Sequence, residues 1–236
     1  MTTETARETG EHHHGHRDVT GGWLRPAVFG MTDGLVSNTS LLAGVAGARV
    51  STHNVILTGL AGLVAGAFSM AIGEFVSVAS QTELTRAEIE IEKAELERVP
   101  KAELAELAAL YVSRGVEPDL ANEVARQLSV DPDQAWRVHA REELGVDPDD
   151  LPSPWTAAFS SLIAFALGAF VPLLPYLLGA ADFLASIALA GLALFAAGAA
   201  VSRFTNRTWF YAGGRQLVLG GAAAGMTYLV GTAVGA

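Results

Sequence analysis

The chain has 236 residues, 50% of them hydrophobic, a formal net charge of −10 and a mean hydropathy of +0.33. Those values do not suit one soluble domain, but they fit a chain that keeps its charged and apolar residues in separate segments. The absence of cysteine excludes disulfides, thiolate metal sites and cysteine nucleophiles, so a bound metal would have to be held by oxygen, nitrogen or thioether sulfur.

Residues 1–20 form a polar tail, expected to be disordered, that carries His12, His13, His14 and His16. A histidine tract of this kind can bind transition metals loosely. The tail lacks an apolar core and a small-residue cleavage site, so no signal peptide is expected and the first membrane helix must serve as its own insertion signal.

Residues 21–80 predict two membrane helices, Pro26 to Ala48 and Asn54 to Ser80. Each is long enough to cross a bilayer, and Pro26 suits a first helical position. The first carries Asp33, with Ser37 one turn further on and Asn38 beside it, as a polar stripe. A carboxylate in the middle of a membrane helix costs about 2.5–3.5 kcal/mol on insertion scales and by default marks an ion or proton path. Desolvation raises the pKa of such a group, so it can exchange a proton for a metal ion. Gly30 and Gly34, Gly62 and Gly66, and Gly221 and Gly225 recur at the four-residue spacing that lets helix backbones approach closely. For Gly30 and Gly34, together with the polar stripe, the expected partner is a symmetry-related first helix. In the second helix Met70 lies one turn before Glu74. A membrane methionine is ordinarily packing, but a thioether beside a carboxylate favours softer transition metals over Mg2+ or Ca2+.

Residues 81–150 hold 18 Asp and Glu against 8 Lys and Arg, which accounts for the whole formal charge. With no Gly or Pro between Ser80 and Val99, the second membrane helix is predicted to continue into water as an acidic rod, interrupted at Pro100. Three shorter helices follow, Lys101 to Ser113, Pro118 to Leu128 and Pro132 to Leu144, with Asp131 as a cap and Gly115 and Gly145 as stops. Glu88, Glu92 and Glu95 share one helical face, and Glu103 and Glu106 follow at i, i+3. Convergent carboxylates would suit Mn2+, Fe2+, Mg2+ or Ca2+. The plainer alternative is a solvated face laced by Arg86–Glu90 and Lys93–Glu97 ion pairs.

Residues 151–236 follow a DPDDLPSP linker and predict three more membrane helices: Trp155 to Leu178, bent by Pro172 and Pro175; Asp182 to Ser202; and Gln216 to Val234. Arg203, Arg207 and Arg215, read as one short loop, put the N-terminus and the acidic segment in the cytoplasm and the C-terminus outside. The predicted fold class is an all-α membrane protein, with five transmembrane helices and a cytoplasmic helical metal-binding domain inserted between helices 2 and 3. The patterns GxxxxGK[ST], HExxH and GxSxG are absent, so neither ATP drive nor an enzyme is expected.

The runs GMTDGLVSNTSLLAGVAG and LVAGAFSMAIGEFVSVASQ, the glutamate-rich continuation and the ELG at Glu143 to Gly145 together resemble the vacuolar iron transporter family, in a bacterial member. The likeness runs from Arg25 to the C-terminus. It implies a homodimer joined through helix 1 that exports Fe2+, and often Mn2+, from the cytoplasm in exchange for protons. The setting would be the bacterial plasma membrane, with no resident cofactor and no nucleic-acid partner. By position it implies that Asp33 and Met70 line the membrane path, while Glu92, Glu95, Glu103, Glu106 and Glu143 bind metal in the cytoplasm. Two positions depart from the family pattern. Gly62 stands where better-described eukaryotic relatives carry a second path carboxylate, which makes Glu74 the candidate substitute. His139 replaces a metal-binding methionine, and imidazole is itself a good Fe2+ or Mn2+ ligand. The rival from another class, a membrane-anchored metal sensor or store, would explain the glutamates but not Asp33.

Overall fold

The computed structural model describes residues 22–180 and 182–235; the metal role weighed for His12, His13, His14 and His16 falls outside them. The described residues are helical throughout, with no strand among them. Helix α1 spans Leu24–Gly47, α2 Thr52–Arg98, α3 Pro100–Ser113, α4 Pro118–Leu128 and α5 Pro132–Glu142. Then come α6 over Pro154–Phe170, a 3-10 turn at Val171–Leu173, α7 over Leu174–Leu177, α8 over Phe183–Val201 and α9 over Trp209–Val234.

Local chemistry accounts for most of these limits. Ser51 caps α2, accepting from the Asn54 N–H at 3.4 Å, and the helix then runs for 47 residues without a break. At 1.5 Å per residue that is about 70 Å, more than twice the ~30 Å of a bilayer's hydrocarbon core. It ends where Pro100, which cannot donate to the α2 ladder, becomes the first residue of α3. Glu117, Asp131, Ser153 and Asp182 each accept a backbone N–H at the start of a helix. Pro172 and Pro175 tighten the end of α6 into the 3-10 turn and α7.

Among the described residues four helices are long and apolar enough to cross a membrane: α2, the continuous Pro154–Leu177 stretch, α8 and α9. Helix α1 has the length, at 24 residues, but Thr32, Asp33 and the run from Ser37 to Ser40 make it more polar than the rest.

Two expected boundaries move. The last helix begins at Trp209 and not at Gln216, so Arg215 lies on α9 and only Arg203 and Arg207 occupy the loop between α8 and α9. The Gly213–Gly214 pair, which looks like a break, sits inside the helix because Gly213 is a packing position: a Cβ there would lie 2.8 Å from the Phe195 ring of α8. Helix α5 stops at Glu142, which leaves Glu143 as its C-cap.

Helix α1 lies at the centre, packed against α6, α9, α2 and α8. Its most extensive contact is with α6. A Cβ on Gly30 would come within 2.6 Å of the Ser161 carbonyl oxygen, and one on Gly34 would run into the Phe165 carbonyl. The expectation that this glycine pair meets a symmetry-related helix is therefore corrected, because both positions are filled from within the chain. Outside this bundle, α3, α4 and α5 pack around Leu107, Ala108 and Ala125, and α5 rests on the far half of α2. The linker returns along α2, where the Thr82 hydroxyl donates to the Pro152 carbonyl at 3.2 Å and the rings of Phe75 and Trp155 lie 4.7 Å apart.

The packing separates two glycines that look alike in sequence. Gly34→Ala is expected to destabilise the protein by about 1–3 kcal/mol, because the backbone of α6 cannot yield to a methyl group. Gly221 faces open space, so Gly221→Ala should be neutral or stabilising by up to about 1 kcal/mol through helix propensity. Thermal unfolding of the two variants in one detergent checks both signs.

Candidate metal centre and membrane groove

Four side chains from three helices meet beside the middle of the acidic segment. Glu92 comes from α2, Glu103 from the first turn of α3, His139 from the last turn of α5, and Glu143 from its C-cap. One ligand atom each from Glu92, Glu103 and His139 fall within 4.8 Å of one another. His139 Nδ1 lies 2.8 Å from Glu92 Oε1, 2.9 Å from Glu143 Oε1 and 4.0 Å from Glu103 Oε2. The imidazole is 0% exposed. Even so, both its nitrogens, Glu92 Oε1 and Glu143 Oε1 lack a hydrogen-bond partner among the described residues. Buried polar atoms are normally paired, so close approach without hydrogen-bond geometry requires another explanation. Around a small divalent cation with bonds near 2.1 Å, neighbouring ligand atoms sit about 3.0 Å apart and opposite ones about 4.2 Å apart. The observed separations match that pattern.

The electrostatics point the same way. Burial, followed by repulsion from Glu143, lifts Glu92 to about 6 against a lowering pull from His139. Burial, followed by the carboxylates of Glu106, Glu103 and Glu95, lifts Glu143 to about 7. Glu103 is raised by burial, then by Glu106 and Glu95. The nearby guanidinium groups are engaged elsewhere: Arg114 with Glu142, Arg137 with Asp149, and Arg141 with Asp147 and Asp149. Crowded carboxylates with no cation between them favour protons or a metal ion.

The predicted ligands do not all converge equally. Glu106 is exposed, and the Glu95 side chain, 41% exposed, pairs with Arg98 at 3.5 Å. Both stand at the rim, close enough to act on Glu103 and Glu143 through charge. Lys93 pairs with Glu90 at 2.8 Å, in place of the Glu97 partner expected for it, and lies over the Trp136 ring. Part of α2 is thus a solvated face of ion pairs, and it runs alongside the cluster.

A second feature lies between α1 and α2. Asp33, Met70 and Glu74 line one groove of about 420 Å³ together with Ser37, Asn38 and Phe165. Glu74 is buried. Gly62 and Gly66 also line it, and their missing side chains leave the room. The structure thus brings the three path candidates to one cavity. The sequence reading did not identify Phe165 of α6 as a wall, and an apolar residue in an apolar helix gives no signal for it. Nor did it anticipate how Asn38 is held. This residue turns inward, and its Nδ2 donates to the Ala169 carbonyl at 2.6 Å, so a symmetry mate is not needed to shelter it.

A family model described as the VIT family matches residues 24–232 of the chain. A vacuolar iron transporter of Acanthamoeba castellanii is 39% identical over 213 residues, which cover 87% of this chain and 76% of that protein. Vacuolar iron transporter 1 of Arabidopsis thaliana is 35% identical over 211 residues, covering 87% and 84%. Vacuolar iron transporter 1 of Oryza sativa subsp. japonica is 30% identical over 239 residues, covering 99% and 94%. Apolar helices of spanning length and a match over nearly all the described residues lead to one conclusion: the chain is an integral membrane protein and belongs to the VIT family.

Proposed function

We propose that this protein carries Fe2+, and also Mn2+, out of the cytoplasm in exchange for protons. The observation that carries the reading is one uninterrupted helix, α2, bearing both a buried ligand cluster at Glu92 and a carboxylate-lined groove at Met70 and Glu74. In this reading α1 is a fifth span, and residues 81–150 form a cytoplasmic helical domain that collects metal at Glu92, Glu103, His139 and Glu143, with Glu95 and Glu106 drawing cations in at the rim. Asp33, Met70 and Glu74 then form the membrane path. The metal is cargo, not a cofactor. The alternative of a sensor or store accounts for the cluster but leaves the groove without a role. The proposed setting is a plasma membrane, with the N-terminus inside and the C-terminus outside.

Proton exchange follows from the cluster's chemistry. A Glu whose folded pKa is raised above its ordinary 4.5 makes the metal-free fold most stable in acid, and that contribution is lost as pH rises through about 6 for Glu92 and about 7 for Glu143. Bound metal replaces those protons. The proposed assembly is a homodimer. One line of α1, Arg25, Phe29, Ser37 and Leu41, stays exposed while the rest of the helix is buried or partly buried, and a second copy would close the groove.

Three outcomes are expected. The metal-free protein should melt at a higher temperature at pH 5 than at pH 8, Mn2+ should erase that difference, and calorimetry at pH 6 in buffers of different ionisation enthalpy should record proton release; Glu92→Gln with Glu103→Gln should weaken binding at least tenfold. Asp33→Asn in liposomes should abolish metal flux and metal-driven proton movement together and leave the cluster's affinity near wild type; native-rate transport by this variant would remove Asp33 from the path. Ser37→Cys should form an interchain crosslink in membranes, whereas a protein that stays monomeric in mild detergent and does not crosslink there argues against the shared groove.

A further inference from the structure

Asn38 is 2% exposed and held in one orientation. Only an amide nitrogen can donate to the Ala169 carbonyl, so the bond from Nδ2 at 2.6 Å fixes which end of the side chain faces α6 and which faces away. The other end, Oδ1, has no hydrogen-bond partner among the described residues, although the side chain lines the groove. It is directed at α2: a Cβ built on Gly62 would come within 3.0 Å of it. A buried amide oxygen left without a donor is disfavoured unless something enters to meet it.

The surroundings limit what that can be. None of the residues lining the groove is cationic. Ser37 already donates its hydroxyl hydrogen to the Asp33 carbonyl at 2.5 Å, so its lone pairs are what it can offer. Asp33, Ser37, Asn38 Oδ1 and the Met70 sulfur therefore present acceptors, which suit a cation. We infer that Asn38 Oδ1 is a neutral oxygen ligand for the cation in this groove, at the level of Gly62, and that it sets the preference of the path for harder divalent ions. This rests on the transport reading and adds a specificity-determining residue to it. The division of labour is chemical. Asp33 supplies charge, while the amide oxygen replaces part of the ion's hydration without adding charge that would hold the ion in place, as a path that must also release its ion requires. Without Oδ1 the remaining side-chain acceptors are the carboxylates of Asp33 and Glu74, the Ser37 hydroxyl and the Met70 thioether, so the set loses its neutral amide oxygen while keeping its soft sulfur, which shifts it toward the softer, later metals.

The test uses full-length protein in liposomes, with Mn2+ and Co2+ flux measured separately. Asn38→Leu keeps the branched shape and removes the oxygen. Gly62→Ala leaves Asn38 anchored to Ala169 but covers Oδ1 with a methyl group, and displaces only the end of the Leu41 side chain. Both variants should lower the Mn2+ to Co2+ flux ratio at least about fivefold, in keeping with the loss of a hard ligand. Asn38→Asp, which keeps an oxygen there, should bring the ratio back to the wild-type value or above it. Metal binding at Glu92, Glu103 and His139 should not change in any of them. If Asn38→Leu does not fold, Gly62→Ala decides. A fall in both fluxes at an unchanged ratio marks Asn38 as an anchor for α6 and overturns the inference, as do unchanged fluxes. Wild-type vesicles that carry neither metal overturn the transport reading and this inference with it.

Discussion

The contact on which the rest of the molecule depends is the near-touching of two backbones, α1 against α6. Gly30 and Gly34 place the first helix directly on the carbonyl groups of Ser161 and Phe165. At that separation side chains cannot intervene, so the two helices are fixed in register and the polar atoms of α1 must find partners in neighbouring helices or face a cavity. Asn38 does both, with its nitrogen on Ala169 and its oxygen on the groove. In lipid the hydrophobic effect gives helices little reason to associate, and close packing of small residues takes over that role. The groove lies beside this contact: where α2 carries Gly62 and Gly66, Leu41, Asn38 and the Phe165 ring come up against its bare backbone and form part of the cavity wall.

The ligand cluster around His139 follows the opposite logic. Apolar packing among α3, α4 and α5 is modest, built on Leu107, Ala108 and Ala125, and it presses carboxylates together where each raises the others' proton affinity. The arrangement is costly to the empty fold and is relieved by a bound cation, so ligand binding and folding are linked through the same atoms. His139 sharpens this. As a fully buried imidazole against Glu92 and Glu143, it brings a nitrogen donor to the cluster without adding another negative charge to a crowded site.

Much of this was legible in the sequence, for identifiable reasons. The long run of α2 past the membrane follows from the absence of Gly and Pro between Ser80 and Val99, and the start of α5 from Asp131 followed by Pro132. What could not be read were choices made by tertiary contact. The spacing of Gly30 and Gly34 announces a close approach but does not say to which helix. Glu92 and Glu95 are three residues apart on a helix that is acidic all round, and only the docking of α5 decides that Glu92 is covered while Glu95 faces Arg98. Gly213–Gly214 has the composition of a turn, and the Phe195 ring makes it part of a helix. Glu103 and His139 come from separate helices, and only the family resemblance, not their spacing along the chain, put them in one set.

The unbroken course of α2 has a mechanical meaning. From Met70 to Glu92 the helix measures about 33 Å at its standard rise, with Gly73 as the only glycine between them and no proline before Pro100. Such a segment behaves as a stiff lever whose two ends cannot move independently. A change of about 5° in the tilt of the membrane-embedded half, pivoting at Met70, would sweep Glu92 sideways by about 3 Å over that length, the width of one coordination site. Glu103 and His139 are carried by other helices and would not follow by the same amount, so small reorientations of the groove wall would open or tighten the metal cluster.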